Sequence, residues 1–167
     1  MTNIIVTGHK MFDDYENMRE TLNYFIHTLH DPELRIVVGG IDGADRQGRV
    51  YAKMRGIPFL EILPERKYRK KAMEFRNQSL FELVNKGDML FAYFAYGFCG
   101  NEATDELVTL MRHKIPSGIH RILFSPYEKR IGGKTVFIGS SAKQAKISES
   151  SLATMPGYQQ KLVFEPG

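Results

Sequence analysis

The residues best suited to bind a ligand lie in a glycine-rich turn that follows a short β-branched run. Three glycines fall within five positions, namely Gly39, Gly40 and Gly43. Glycine permits a tight turn and lets the backbone approach a ligand closely. Asp42 or Asp45 can cap a helix beginning at Ala44, whose first amides favour an anion. The pattern predicts a phosphate-binding turn, although an ordinary connection between strand and helix is the alternative, and the spacing matches neither the dinucleotide fingerprint nor a Walker A loop.

A second turn of the same kind begins at Gly8, directly after an apolar run at residues 4–6. If that run is a strand of a parallel sheet, His9 and Lys10 follow its carboxyl end, where open α/β sheets bind their ligands. We therefore expect them to face an anionic ligand. The alternative is that His9 only closes the turn and Lys10 is solvated.

A third glycine turn follows the apolar run at residues 89–95. It contains Gly97, Gly100 and Asn101, and a helical pattern begins at Glu102. The three turns follow predicted strands one, two and four. They should therefore meet at one edge of the sheet and form a single ligand site.

Apolar strands alternate with amphipathic helices up to about residue 124. The predicted strands occupy residues 3–7, 36–38, 57–63, 89–95 and 119–124, and the predicted helices occupy residues 15–29, 44–55, 68–84 and 102–114. This alternation predicts an α/β fold, a Rossmann-like doubly wound parallel sheet in three α/β/α layers, with residues 89–95 as a central strand. Residues 125–167 form a C-terminal appendage with a possible hairpin at 131–134 and an edge strand at 161–164.

The composition is that of an ordinary globular protein, with 43% hydrophobic and 25% charged residues in a chain of 167. Cys99 is the sole cysteine, which excludes a disulfide framework. The absence of a signal pattern and of a long apolar run indicates a cytoplasmic protein with no membrane association. No pair of histidine and carboxylate has the spacing of a zinc site, so we expect no metal and no cofactor.

The net charge of +4 is concentrated in residues 66–71, where five of six side chains are basic. A nucleic-acid surface is one interpretation. A solvated helix entrance that attracts a small phosphorylated ligand is the simpler one, because Tyr68 is the only aromatic residue within the run.

Ordered sequence pieces resemble the SLOG superfamily, specifically its YspA-like branch. These pieces are residues 5–10 with 12–15, Val38-Gly39-Gly40 with Gly43-Ala44-Asp45, residues 55–58, Arg76-Asn77, Gly87-Asp88, and the turn at 97–106 with Ile115-Pro116. The resemblance covers about residues 3–124. It implies a Rossmann-like fold, a phosphate or sugar held by the first glycine turn, and Arg76 paired with an anionic group, with Asn77 beside it; otherwise Arg76 would be an ordinary surface residue.

The hydrolase branch of that superfamily carries Pro-Gly-Gly-x-Gly-Thr-x-x-Glu in its last glycine turn, and its glutamate cleaves an N-glycosidic bond. Here Asn101 replaces the threonine and Thr104 stands at the glutamate position. Glu102 and Asp105 are the nearest carboxylates, displaced by one or two helical positions. They are the catalytic candidates if the protein is an enzyme. Glu102 could equally be an acidic first-turn residue that interacts favourably with the helix dipole.

Three functions follow from these patterns. The first is binding of a nucleotide or nucleotide-derived small molecule by a sensor, carrier or sequestering protein. The second is hydrolysis or transfer at a nucleotide N-glycosidic bond, and the third and weaker one is nucleic-acid binding. Because related proteins pair through helices beside the sheet, we also expect a homodimer or a higher symmetric oligomer.

Overall fold

Strands and helices alternate along the chain in the order that the sequence predicts. The computed structural model describes residues 1–29, 33–95, 98–124, 128–131, 134–137 and 162–164. Its strands are β1 (Thr2–Gly8), β2 (Leu34–Val38), β3 (Phe59–Glu61), β4 (Met89–Ala95), β5 (Ile119–Phe124), β6 (Glu128–Ile131), β7 (Lys134–Phe137) and β8 (Leu162–Phe164). Its α-helices are α1 (Tyr15–Thr28), α2 (Ala44–Arg55), α3 (Ala72–Leu83) and α4 (Glu102–Met111), with short 3-10 helices at Arg66–Lys71 and Pro116–Gly118.

The first five strands form one parallel sheet in the order β3-β2-β1-β4-β5. Val6 of β1 pairs with Val38 of β2 on one side and with Phe91 of β4 on the other. The chain therefore reverses its direction of winding between β1 and β4, which is the topological switch point where such sheets bind ligands. The predicted Rossmann-like fold is confirmed.

Each face of the sheet carries its own apolar core, because successive side chains of a strand point to opposite faces. Ile4 and Val6 pack with Met18 and Leu22 of α1 and with Tyr51 of α2. On the opposite face, Ile5, Val37, Leu90 and Ala92 pack with Leu80 of α3 and with Leu107, Val108 and Met111 of α4. Two helices on each face give the three predicted layers.

Helix α2 ends as its sequence indicates, at Gly56 with φ 66° in the left-handed region. The helical spacing of apolar residues predicts that Met54 and Phe75 face the core, but this is wrong, since Met54 is 74% exposed and Phe75 is 42% exposed. The helix predicted from residue 68 begins at Ala72, because the basic run forms a separate 3-10 helix. Arg69 within it has a φ of 49°, which an α-helix cannot contain.

The C-terminal segment contributes two further pieces of β-structure. β6 and β7 pair antiparallel, with Ile131 opposite Lys134. β8 adds antiparallel to β5 at the edge of the main sheet, with His120 opposite Phe164. None of the helices among the described residues has both the length and the apolar character needed to span a membrane.

Candidate functional site

His9 connects two of the three glycine turns. Its side chain is buried, and the amide of Met11 donates to Nδ1 at 3.1 Å. Nε2 therefore carries the proton and donates to the carbonyl of Cys99 at 2.6 Å. Gly100, with φ 101°, leaves room for the imidazole, because a Cβ there would lie 2.9 Å from Nε2. Both ring nitrogens are thus used within the protein, while Lys10 is exposed.

The glycines of the first turn accommodate the protein's own atoms. Gly43 has a φ of 78°, and a Cβ there would overlap the backbone of His9 and Lys10. The amide of Ala44 donates to the carbonyl of His9 at 3.3 Å across the same contact. At Gly39 a Cβ would overlap the guanidinium of Arg76. At Gly39 and Gly43, therefore, the close approach that glycine permits is to other atoms of the protein.

Arg76 and Asp45 form a buried ion pair beneath that turn. Nη1 of Arg76 donates to Oδ2 of Asp45 at 3.1 Å, and the two side chains are 1% and 0% exposed. Nη2 donates to Oδ1 of Asn77 at 2.8 Å, and Nδ2 of Asn77 donates to the carbonyl of Ala103 at 2.8 Å. The network joins the turn after β2 to α3 and α4. The interpretation of Arg76 as an ordinary surface arginine is wrong.

The ion pair has unused hydrogen-bonding capacity. Oδ1 of Asp45, Nε of Arg76 and the hydroxyl oxygen of Thr7 are buried without a partner in hydrogen-bond geometry. Burial raises the pKa of the Asp45 carboxyl to about 6, against the opposing attraction of Arg76 and the hydrogen bond from the amide of Ile41. Burial likewise lowers the pKa of Arg76, while Asp45 opposes this. The pair is costly to bury, which makes it a functional candidate as well as a structural one.

The amino end of α2 lacks a side-chain cap, although its first residues, Ala44 and Asp45, are buried. Gly43 occupies the cap position and no side chain caps the helix, so the prediction that Asp42 or Asp45 does so is wrong. Asp45 instead accepts from the amide of Ile41 at 3.2 Å and from Arg76. The amides of Asp45 and Arg46 make no backbone hydrogen bond with the described residues. Asp45 is fully buried, so of these two amides only that of Arg46, an exposed residue, can contact an anion near the positive end of the helix dipole.

A depression of about 190 Å³ lies beside this helix end, between the carboxyl ends of β2 and β3. Val38, Gly40, Ile41, Asp42, Asp45, Arg46, Arg49 and Glu61 line it. Arg46 is exposed, and none of the contacts among described residues engages its guanidinium. Arg49 is held by Glu61 at 3.1 Å. Neither arginine is among the site residues predicted from the sequence, although two arginines one helical turn apart at a helix start indicate a possible anion site.

The third turn is shaped by Asn101. Its Nδ2 donates to the carbonyls of Ala95 at 2.7 Å and Phe98 at 3.3 Å, and its Oδ1 accepts from the amide of Ala95 at 3.0 Å. Asn101 therefore holds the turn after β4 in place, whatever else it contacts. Gly97 lies outside the described residues.

The two catalytic candidates lie in a different depression. Glu102 and Asp105 are exposed and line a space of about 300 Å³ with Phe94, Phe98, Asn101 and Arg121. It shares no residue with the depression at α2. One lies between β2 and β3 and the other between β4 and β5, about three strand spacings or roughly 14 Å apart. Thr104 is buried.

Within the described part of the chain, no group of three or more histidine, cysteine or acidic side chains could hold a metal ion. The chain matches no protein-family model, no curated protein and no solved structure. A functional proposal therefore rests on the geometry of the site.

Proposed function

We propose that this protein binds a phosphorylated small molecule, derived from a nucleotide, in the depression at the amino end of α2. The observation that carries the proposal is the uncommitted guanidinium of Arg46 in the first turn of a 12-residue helix that has no side-chain cap. A planar fork of donors, the amide of Arg46 and a positive dipole end are together suited to a phosphate.

The remaining lining residues favour a phosphate that is attached to a sugar. Asp42 is exposed at the rim, and a carboxylate repels a phosphate but accepts hydrogen bonds from sugar hydroxyls. The charge of Glu61 is compensated by Arg49. The site also lies at the carboxyl ends of parallel strands, where ligands bind in open α/β sheets.

The separation of the two depressions favours binding over glycosidic hydrolysis. In a nucleotide the phosphate and the anomeric carbon are joined through one sugar. A phosphate held at Arg46 would therefore leave Glu102 and Asp105 too distant to act on that carbon. Hydrolysis stays the alternative function, and it requires a ligand that binds beside α4 instead.

Calorimetric titration with nucleoside 5'-monophosphates and ribose 5-phosphate tests the proposal. Arg46→Ala should weaken binding of each by about 1.5–3 kcal/mol, the usual value of a hydrogen bond to a charged group. Lys53→Ala is the matched control, because it removes one exposed positive charge from the same helix outside the depression. Equal affinities in wild type and Arg46→Ala would show that α2 does not hold the phosphate.

The cytoplasmic location and the symmetric oligomer also stay proposals. Light scattering at micromolar concentration tests the second, and a mass corresponding to one chain of 19.1 kDa would contradict it.

A further inference from the structure

A third depression, of about 260 Å³, lies between the chain that follows β3 and the first turns of α3. Leu63, Glu65, Tyr68, Ala72, Phe75, Arg76, Gln78 and Ser79 line it. The rings of Tyr68 and Phe75 meet edge to face, with centroids 4.5 Å apart. The sequence pattern did not predict this pair, because the helical spacing of apolar residues placed Phe75 on the core side of its helix.

Three apolar side chains of this groove are unusually exposed. Leu63 is 58%, Phe75 is 42% and Tyr68 is 40% exposed. Scattered apolar residues are normal on a protein surface, but a cluster that lines a concave space indicates a binding site. The exposed amide of Gln78 and the hydroxyl of Ser79 stand at its margin. An apolar groove with a few polar groups at its rim suits a planar heteroaromatic ring.

The groove adjoins the depression at α2 where Leu63 contacts Gly40. Leu63 packs so closely on Gly40 that a Cβ at Gly40 would overlap its side chain. Gly40 lines the depression at α2 and Leu63 lines the groove. Arg76, locked to Asp45, lines the groove from beneath. One molecule can therefore place an anionic group on one side of this contact and a ring on the other.

Charge around the groove complements a nucleotide. The 3-10 helix that carries Tyr68 contains five basic residues and no acidic one, and Lys67 lies 5.0 Å from the centroid of the Tyr68 ring. Glu65 at the rim is paired with Lys67 at 3.1 Å. The surface is thus positive next to an aromatic face, the combination on which nucleobases stack.

We propose that the groove formed by Leu63, Tyr68 and Phe75 is the base subsite of this protein, and that it holds the nucleobase of a mononucleotide whose phosphate lies at α2. This inference rests on the proposed function and adds to it the part of the ligand that distinguishes a nucleotide from a sugar phosphate. Stacking on an aromatic pair selects for a base without selecting strongly among bases.

Calorimetry of adenosine, guanosine, cytidine and uridine 5'-monophosphates against ribose 5-phosphate tests the subsite. Wild-type protein should bind the nucleotides roughly ten- to a hundredfold more tightly than the sugar phosphate. Tyr68→Ala and Phe75→Ala should remove most of that difference and leave ribose 5-phosphate affinity unchanged, whereas Tyr68→Phe should retain it. Tyr24→Ala is the matched control, since Tyr24 is 42% exposed and pairs with Phe25 at 5.2 Å on α1.

A second measurement does not depend on affinity. The base protons of bound adenosine 5'-monophosphate should shift upfield by the ring current of Tyr68, and Tyr68→Ala should remove the shift. Circular dichroism should show that these surface variants remain folded.

Four results would overturn the subsite. Equal affinity of wild type for nucleotides and ribose 5-phosphate would exclude it and leave the phosphate site standing, whereas no binding of either would remove both proposals. Tighter binding of a (dT)12 oligonucleotide, lost in the same variants, would assign the aromatic pair to a nucleic-acid surface. A decrease in oligomer mass on Phe75→Ala would assign it to a contact between two copies of the chain.

Discussion

At the scale of single residues, the buried Arg76 determines how the carboxyl edge of the sheet is held together. Its guanidinium reaches Asp45 from a position 31 residues later in the chain, and Asn77 extends the contact to α4. A pattern of residue types cannot reveal such a pair, because the two side chains are far apart in the sequence. The resemblance implied that Arg76 pairs with an anionic group, and in the structure its guanidinium pairs with Asp45. A ligand role of Arg76 stays a prediction.

Removing one member of the pair should be far more damaging than removing both. We expect Arg76→Ala to lower the free energy of unfolding by about 3–5 kcal/mol, because Asp45 would remain buried and unpaired. The double variant Asp45→Leu with Arg76→Met should lose less. Urea unfolding measures both, with Arg46→Ala as an exposed control. If Arg76→Ala keeps its stability but loses nucleotide affinity, Arg76 acts mainly on the ligand.

His120 should make stability depend on pH. Burial lowers its pKa from 6.5 to about 4; the Phe91 ring stacks on the imidazole at 4.9 Å and the Phe25 ring is tilted against it at 4.3 Å. The folded state therefore binds the proton more weakly than the unfolded state. The stability that the neutral His120 side chain contributes is fully present above pH 6.5. It is lost as the pH falls through 4, which lowers the free energy of unfolding by about 3 kcal/mol.

Asp45 acts in the opposite direction in the same range, since its pKa is raised from 3.8 to about 6 and protonation favours the fold. The measurement must therefore compare wild type with His120→Leu by urea unfolding at pH 7 and pH 4. The advantage of wild type over the variant should shrink by about 3 kcal/mol on acidification. A difference that does not change with pH would show that His120 is protonated normally.

At the scale of elements, the sequence predicted the buried strands and helices well and their ends less well. β4 and β5 match their predicted ranges because continuous apolar runs leave little freedom in a central strand. β3 is three residues long instead of seven, since an edge strand is limited by its single neighbour. α3 begins late because Arg69 adopts a positive φ, which no residue type in the basic run announces.

The sequence predicted the glycine turns, but it did not show which contacts within the protein require glycine there. Gly43 and Gly56 both have positive φ, yet only at Gly43 would a Cβ meet other atoms, the backbone of His9 and Lys10. Gly56→Ala should cost about 1 kcal/mol, the backbone penalty alone. Gly43→Ala should cost several times more, because its φ and ψ of 78° and −125° suit glycine alone and backbone cannot move aside.

Thermal and urea unfolding of the two variants gives the comparison directly. Nucleotide affinity should fall in Gly43→Ala along with stability, because the same contact positions the amino end of α2. Equal losses of stability in the two variants would show that the contact with the first turn is unimportant.

At the scale of the whole molecule, the strand order separates two depressions along one edge of the sheet. β1 lies between β2 and β4, and the loop after β1 fills the middle of that edge, with His9 bonded to Ala44 on one side and to Cys99 on the other. The sequence placed all three turns at this edge and implied a single site. The structure brings the turns together but leaves the open surfaces on either side of His9.

This separation predicts a binder whose affinity does not depend on the carboxylates of α4. Glu102→Gln keeps the shape of the side chain and removes its charge, and Asp105→Asn does the same for the second carboxylate in the depression with Arg121. If the phosphate lies at Arg46, both variants should bind nucleoside 5'-monophosphates as wild type does. Wild-type protein should also release no free base from them during prolonged incubation, as followed by chromatography. If wild type does release free base and Glu102→Gln slows this by about a hundredfold or more, the ligand lies beside α4 and the protein is a hydrolase.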